Sequence, residues 1–109
     1  MEKKNGRTEI AELGEFGLID RLMADVEPKN ETTLLGCGDD AAAVAASERE
    51  AVVCTTDLLT EGVDFDLTYF PLRHLGYKAV TVGVSDILAM NARPEQLLLS
   101  IGVSAKISV

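Results

Sequence analysis

Apolar residues recur at helical spacing in two stretches of the chain, and short β-branched runs lie between them. Leu18, Ile19, Leu22 and Met23 follow Gly14-Glu15-Phe16-Gly17 and predict a short amphipathic helix over 16–25, which Glu27-Pro28-Lys29-Asn30-Glu31 breaks. Thr33-Leu34-Leu35 predicts a short strand. Ala41 to Ala46 is small and apolar, Ser47 to Glu50 is a polar turn, and Ala51-Val52-Val53-Cys54-Thr55-Thr56 is rich in β-branched residues. Together these three segments predict a hairpin with Asp57 at the end of its second strand. Leu72, Leu75, Ala79, Val82, Asp86 and Ala89 repeat at spacings of three and four, one face of a long helix over 72–91. Val80, Val84, Ile87 and Leu88 fill the remaining faces, so burial on more than one side is expected. Gly83 costs roughly 1 kcal/mol relative to Ala inside a helix, and a close packing contact is expected there. Arg93-Pro94 marks the stop. Residues 96–103, with Leu97, Leu98, Leu99 and Ile101, predict a last strand.

This order of elements predicts an α+β domain with a mixed sheet packed on helices. A length of 109 residues fits one domain. Residues 1–12 carry alternating charges without a period and read as a loose tail, leaving residues 13–109 as the domain. A chain that stops directly after a strand reads as truncated, with a sheet edge open to a partner.

Composition narrows the function classes. A formal net charge of -8 speaks against nucleic acid and against an anionic membrane surface as partners. Divalent cations can still bring a polyanion to an acidic protein. Cys37 and Cys54 lack CxxC spacing and read as reduced, half-buried thiols. Met1 to Arg7 is polar, and no run approaches the roughly 18 apolar residues of a membrane span. A cytoplasmic location is the expectation.

Three acidic positions carry the candidate chemistry. From Ala79 to Met90 the only charged residue is Asp86, on the apolar stripe of the long helix. A lone carboxylate there either caps a loop, pairs with Lys78 or Arg93, or coordinates a cation, because burying it unpaired costs several kcal/mol. Asp57 is either a turn former or a ligand at the mouth of the sheet, beside Thr55 and Thr56, whose oxygens suit a hard cation. Asp39-Asp40 is either an exposed acidic turn or a pair of like charges that a divalent ion neutralises. Taken together these are hard oxygen donors from three separated elements with no His or Cys cluster, which suits magnesium and fits zinc poorly. Magnesium bridges to phosphate oxygens, so a nucleotide is the natural partner. The chain has neither GxxxxGK[ST] nor GxGxxG after a strand, and its sole histidine, His74, assembles no nucleophilic triad.

Five segments occur in the order and spacing of one enzyme family. They are Gly14-Glu15-Phe16-Gly17-Leu18-Ile19, Gly36-Cys37-Gly38-Asp39-Asp40-Ala41-Ala42, Thr55-Thr56-Asp57-Leu58-Leu59-Thr60-Glu61-Gly62-Val63, Leu75-Gly76-Tyr77-Lys78-Ala79, and Ser85-Asp86-Ile87-Leu88-Ala89-Met90. In these the chain resembles the thiamine-monophosphate kinases, from about Gly14 to its last residue. The resemblance implies the N-terminal domain of the aminoimidazole-ribonucleotide synthetase-like fold, completed into a barrel-like sheet by homodimerisation. It also implies ATP-dependent phosphorylation of thiamine phosphate to thiamine diphosphate, by direct in-line transfer with magnesium ions. Carried over by motif, Asp40, Thr55, Thr56, Asp57 and Asp86 would be metal ligands and Asp39 a loop-orienting residue. Asp64 stands where the family carries a substrate-contacting histidine, and Gly83 where it commonly carries an asparagine. Another ATP-dependent synthetase of the superfamily and a non-catalytic dimerisation module are the alternatives. The family's C-terminal domain has no counterpart here, so this portion alone is expected to turn over little.

Overall fold

A computed structural model describes residues 8–107. Its elements run α1 (Ile10–Met23), β1 (Thr33–Leu35), β2 (Ala42–Ala45), β3 (Ala51–Cys54) and α2 (Leu72–Ala89), which is a small α+β arrangement. The predicted hairpin is present. β2 and β3 pair antiparallel from Ala42 opposite Cys54 to Ala45 opposite Ala51, and the polar turn closes through Ala46 and Ser47 amides donating to the Glu50 carbonyl. β1 pairs antiparallel with β2 in a register that shifts between Thr33 and Leu35, giving the sheet order β1-β2-β3.

Several expectations are corrected. The sheet is antiparallel throughout, where a mixed one was expected, and neither helix lies across its face. Helix α1 begins at Ile10, inside the stretch read as a tail, and breaks at Gly14, whose φ of 67° and ψ of -177° only glycine adopts readily. The alternating charges hid that first turn; residues 1–7 lie outside the described ones. The long helix matches its prediction in place but not in surroundings: no residue of α2 is buried, and a Cβ built on Gly83 meets nothing within 4 Å. Its apolar faces have no covering layer among the described residues. Residues 96–103 form no strand. A β-strand owes its hydrogen bonds to a neighbour, and among the described residues no partner strand lies beside this stretch. Both cysteines are exposed where half-burial was expected.

These corrections share one cause. Ala41 is the single buried hydrophobic residue among those described, at 5% exposure. The accessible surface is 10213 Å², against about 5,900 Å² for a compact monomer of this mass. The radius of gyration is 18.7 Å, where a compact chain of this length would have about 13 Å. Local periodicity therefore produced the elements, while the layers that would bury them are not supplied by residues 8–107.

Order is nevertheless local and well defined at the end of α2. Asn91 takes φ 55°, its amide donates to the Leu88 carbonyl at 2.9 Å, and the Ala92 amide donates to the Ile87 carbonyl at 3.1 Å. This is a Schellman cap with asparagine in the place glycine usually fills.

Candidate functional site

The sheet register sets the site. Because Ala42 opens β2 opposite Cys54, which closes β3, the residues just before Ala42 and just after Cys54 lie side by side. The Thr55 hydroxyl consequently reaches the Asp40 main-chain carbonyl at 3.1 Å. The same hydroxyl lies 3.0 Å from Asp86 Oδ2, which comes from the last turns of α2. A hydroxyl has one proton to donate, so these two acceptors compete for it. Thr55 is thereby the point where the β1–β2 loop, the end of β3 and helix α2 meet.

Asp57 completes the corner. Its carboxyl is raised above the usual carboxylate value, first by partial loss of solvent contact and then by the nearby charge of Asp86. Like charges brought near one another repel, and a divalent cation would relieve that repulsion. The cations that could have neutralised Asp86 are occupied elsewhere. Lys78 Nζ donates to the Asp64 carbonyl at 2.5 Å, and Arg93 pairs with Glu95. Asp86 thus has no cationic side-chain partner among the described residues, and the pairing alternative left open by the sequence is removed.

The other expected residues fall into place to different degrees. Asp39 Oδ1 accepts the Asp40 amide at 2.9 Å, which fixes the loop after Gly38 at its φ of 126°. Asp40 enters the corner through its main-chain oxygen, with its residue exposed. Thr56 is next in the chain and exposed. Among the described residues no three Asp, Glu, His or Cys side chains converge tightly enough to form a metal cage. The oxygens gathered here are the Asp86 carboxylate, the Thr55 hydroxyl and the Asp40 carbonyl. That composition fits a hard ion that keeps part of its water shell, as magnesium does. His74 stands exposed at the start of α2, edge-on to Phe70.

Asp64 lies apart from this corner, in a tight turn. Its Oδ2 accepts the Thr60 amide at 2.7 Å, its own amide donates back to the Thr60 carbonyl at 2.9 Å, and Gly62 at φ 83° lets its amide reach the Phe65 carbonyl at 2.7 Å. Asp66 caps the next turn by accepting the Thr68 amide at 2.8 Å, and the Thr68 contacts hold its carboxyl below the usual range. Gly62, Val63, Asp64, Phe65, Asp66 and Tyr69 line a shallow hollow. Sequence reasoning missed this turn; Gly62 between Thr60 and Asp64, and Asp66 two residues before Thr68, were the available signal.

Comparison with known proteins agrees with this arrangement of motifs. The chain is 38% identical over 100 residues to the thiamine-monophosphate kinase of Aquifex aeolicus, covering 92% of this chain and 30% of that protein. It is 38% identical over 97 residues to the thiamine-monophosphate kinase of Mycobacterium tuberculosis, covering 89% and 28%. For the thiamine-monophosphate kinase of Buchnera aphidicola the figures are 34% over 98 residues, covering 90% and 30%. The chain thus spans under a third of the length of these relatives. No solved structure gives a significant match. Residues 38–108, which include the whole acidic corner, match the family described as AIR synthase related protein, N-terminal domain, and the chain belongs to that family.

Proposed function

We propose that this chain is the magnesium- and ATP-binding N-terminal part of an enzyme that phosphorylates thiamine phosphate to thiamine diphosphate. The observation that supports this reading is the Thr55 hydroxyl set between the Asp40 carbonyl and the Asp86 carboxylate, with Asp57 near enough to feel the Asp86 charge and no cation paired to Asp86 among the described residues. Asp40, Thr55, Thr56, Asp57 and Asp86 would hold magnesium. The bound ion supplies charge neutralisation for the triphosphate and its leaving group. The chain's own residues do the positioning. Thr55 orients the Asp86 carboxylate, Asp39 fixes the loop that presents the Asp40 carbonyl, and the turn around Asp64, joined to α2 through Lys78, offers the acceptor a surface. The acceptor's phosphate oxygen attacks the γ-phosphorus as the β–γ bridging oxygen leaves with its electron pair, so no protein nucleophile is required. The location is read as cytoplasmic, and among the described residues no helix is long and apolar enough to cross a membrane.

A homodimer is part of the same reading. The uncovered faces of the sheet and of α2, together with Leu97, Leu98, Leu99 and Ile101, support association through apolar surface. The same exposure favours, as the second reading, a module whose role is association alone. Calorimetric titration of the chain with magnesium and a non-hydrolysable ATP analogue separates the two. Magnesium-dependent heat of binding supports the kinase reading, and heat of dilution alone supports the module. Substrate choice is tested by a coupled assay on the gene product that carries this chain: thiamine phosphate should be turned over, and efficient use of thiamine in its place would overturn the assignment.

A further inference from the structure

Lys78 is the one cation of α2 that is not left to solvent at the helix start. It is half-buried, and its ammonium points at a main-chain carbonyl, that of Asp64, at 2.5 Å. The turn it touches is otherwise closed on itself. The Thr60 carbonyl accepts the Val63 and Asp64 amides, the Phe65 carbonyl accepts the Gly62 amide, and the Asp64 carboxylate accepts the Thr60 amide. The Asp64 carbonyl takes no part in these bonds, and Lys78 donates to it. Among the described residues this is the sole hydrogen bond between residues 60–66 and α2. Lys78 also stands on the helix that carries Asp86, eight residues earlier, which is about 12 Å along the axis.

We propose that Lys78 is a positioning residue that ties the turn over 60–66 to helix α2 and so fixes the hollow around Asp64 relative to the Asp57–Asp86 corner. The proposal rests on the functional reading above only in naming that hollow as the acceptor side of the site. Without the ammonium the turn loses its registration to α2, and its internal bonds open more often. Metal ligation, which runs through Thr55 and Asp86, does not pass through Lys78.

The experiment is amide hydrogen exchange on the full chain, comparing the parent with Lys78→Met, Lys78→Gln and Lys78→Arg. In Lys78→Met and Lys78→Gln, the Gly62 and Asp64 amides should exchange ~10-fold faster, the response expected when a charge-assisted contact is lost. The amides of β2 and β3 should keep their rates, and magnesium affinity should stay within ~2-fold by the same logic. Lys78→Arg, which keeps a donor and the charge, should restore slow exchange. Unchanged Gly62 and Asp64 rates overturn the proposal, as does failure of the arginine variant to rescue. So does a parallel loss of magnesium affinity, or loss of helical circular dichroism in both the methionine and glutamine variants, since a positioning residue leaves the fold standing. If the parent chain binds neither magnesium nor nucleotide, the functional reading fails while the exchange result still decides the role of Lys78.

Discussion

The acidic corner and the stretch from Gln96 to Val103 are opposite outcomes of one folding problem. At the corner, Thr55 joins positions 15 and 31 residues away in sequence through two directional contacts. In the other stretch, apolar residues are at least as abundant, yet Leu98 is 98% exposed and no strand forms. Hydrogen-bonded polar groups define geometry wherever two segments meet, whereas apolar mass only stabilises what another layer covers. The difference teaches that directional polar contacts form within residues 8–107 while a buried core does not.

The sharpest way to break that contrast is Asp86→Asn. The asparagine still offers Thr55 an acceptor, so the thermal midpoint should move little. Magnesium-dependent nucleotide binding should fall by more than ~100-fold, beyond the ~10–100-fold that loss of a ligand's supporting partner brings. Calorimetry paired with thermal melting reads both, and large destabilisation with binding retained would make Asp86 a structural residue. Thr55→Val is next. It removes the hydroxyl that joins three elements and should weaken magnesium binding ~10-fold. It should also cost about 1 kcal/mol of stability by denaturant titration, the net value of a typical hydrogen bond.

A smaller effect is expected from pH. The Asp57 carboxyl is raised in the folded chain, so the stability it contributes is present in acid and is lost as pH rises through that raised value. Metal-free chain should therefore lose stability above the ordinary carboxylate range. Asp57→Asn, or added magnesium, should flatten the slope; a metal-free profile that rises over the same window would contradict a raised Asp57 carboxyl. Least of all should be felt by the isolated chain in Leu98→Asp. At an exposed position the change stays within ~0.5 kcal/mol. If the proposed dimer covers this stretch, the same substitution should abolish association in sedimentation analysis, which turns the quiet region into the sensitive one.

What could be read in advance follows the same division. Elements with local causes were legible: the Ala51–Cys54 strand from its β-branched residues, α2 from its periodic stripe, the hairpin from its polar turn. The meeting of the Asp40 carbonyl, the Thr55 hydroxyl and the Asp86 carboxylate follows from the antiparallel register, which carries sequence position into space. Burial was not legible, since the apolar faces of α2 and residues 96–103 announce a need for cover without saying what supplies it. Nor was the role of Lys78. Charge at position 78 suggested Asp86 as a partner, and the turn that claims it is held by main-chain bonds that leave little trace in side-chain identity.

The asparagine-capped end of α2 has a consequence for electrostatics. A helix carries a partial negative pole at its C-terminus, normally balanced by lysine or arginine in the final turn, and α2 has no basic residue there. Asp86 instead adds its own charge near that pole, and its main-chain oxygen accepts the Met90 amide at 3.2 Å, so the turn that bears it does not fray. The backbone dipole and the carboxylate therefore reinforce one another, and an incoming divalent cation would meet an attraction built partly from peptide units, independent of any side chain a mutation could remove.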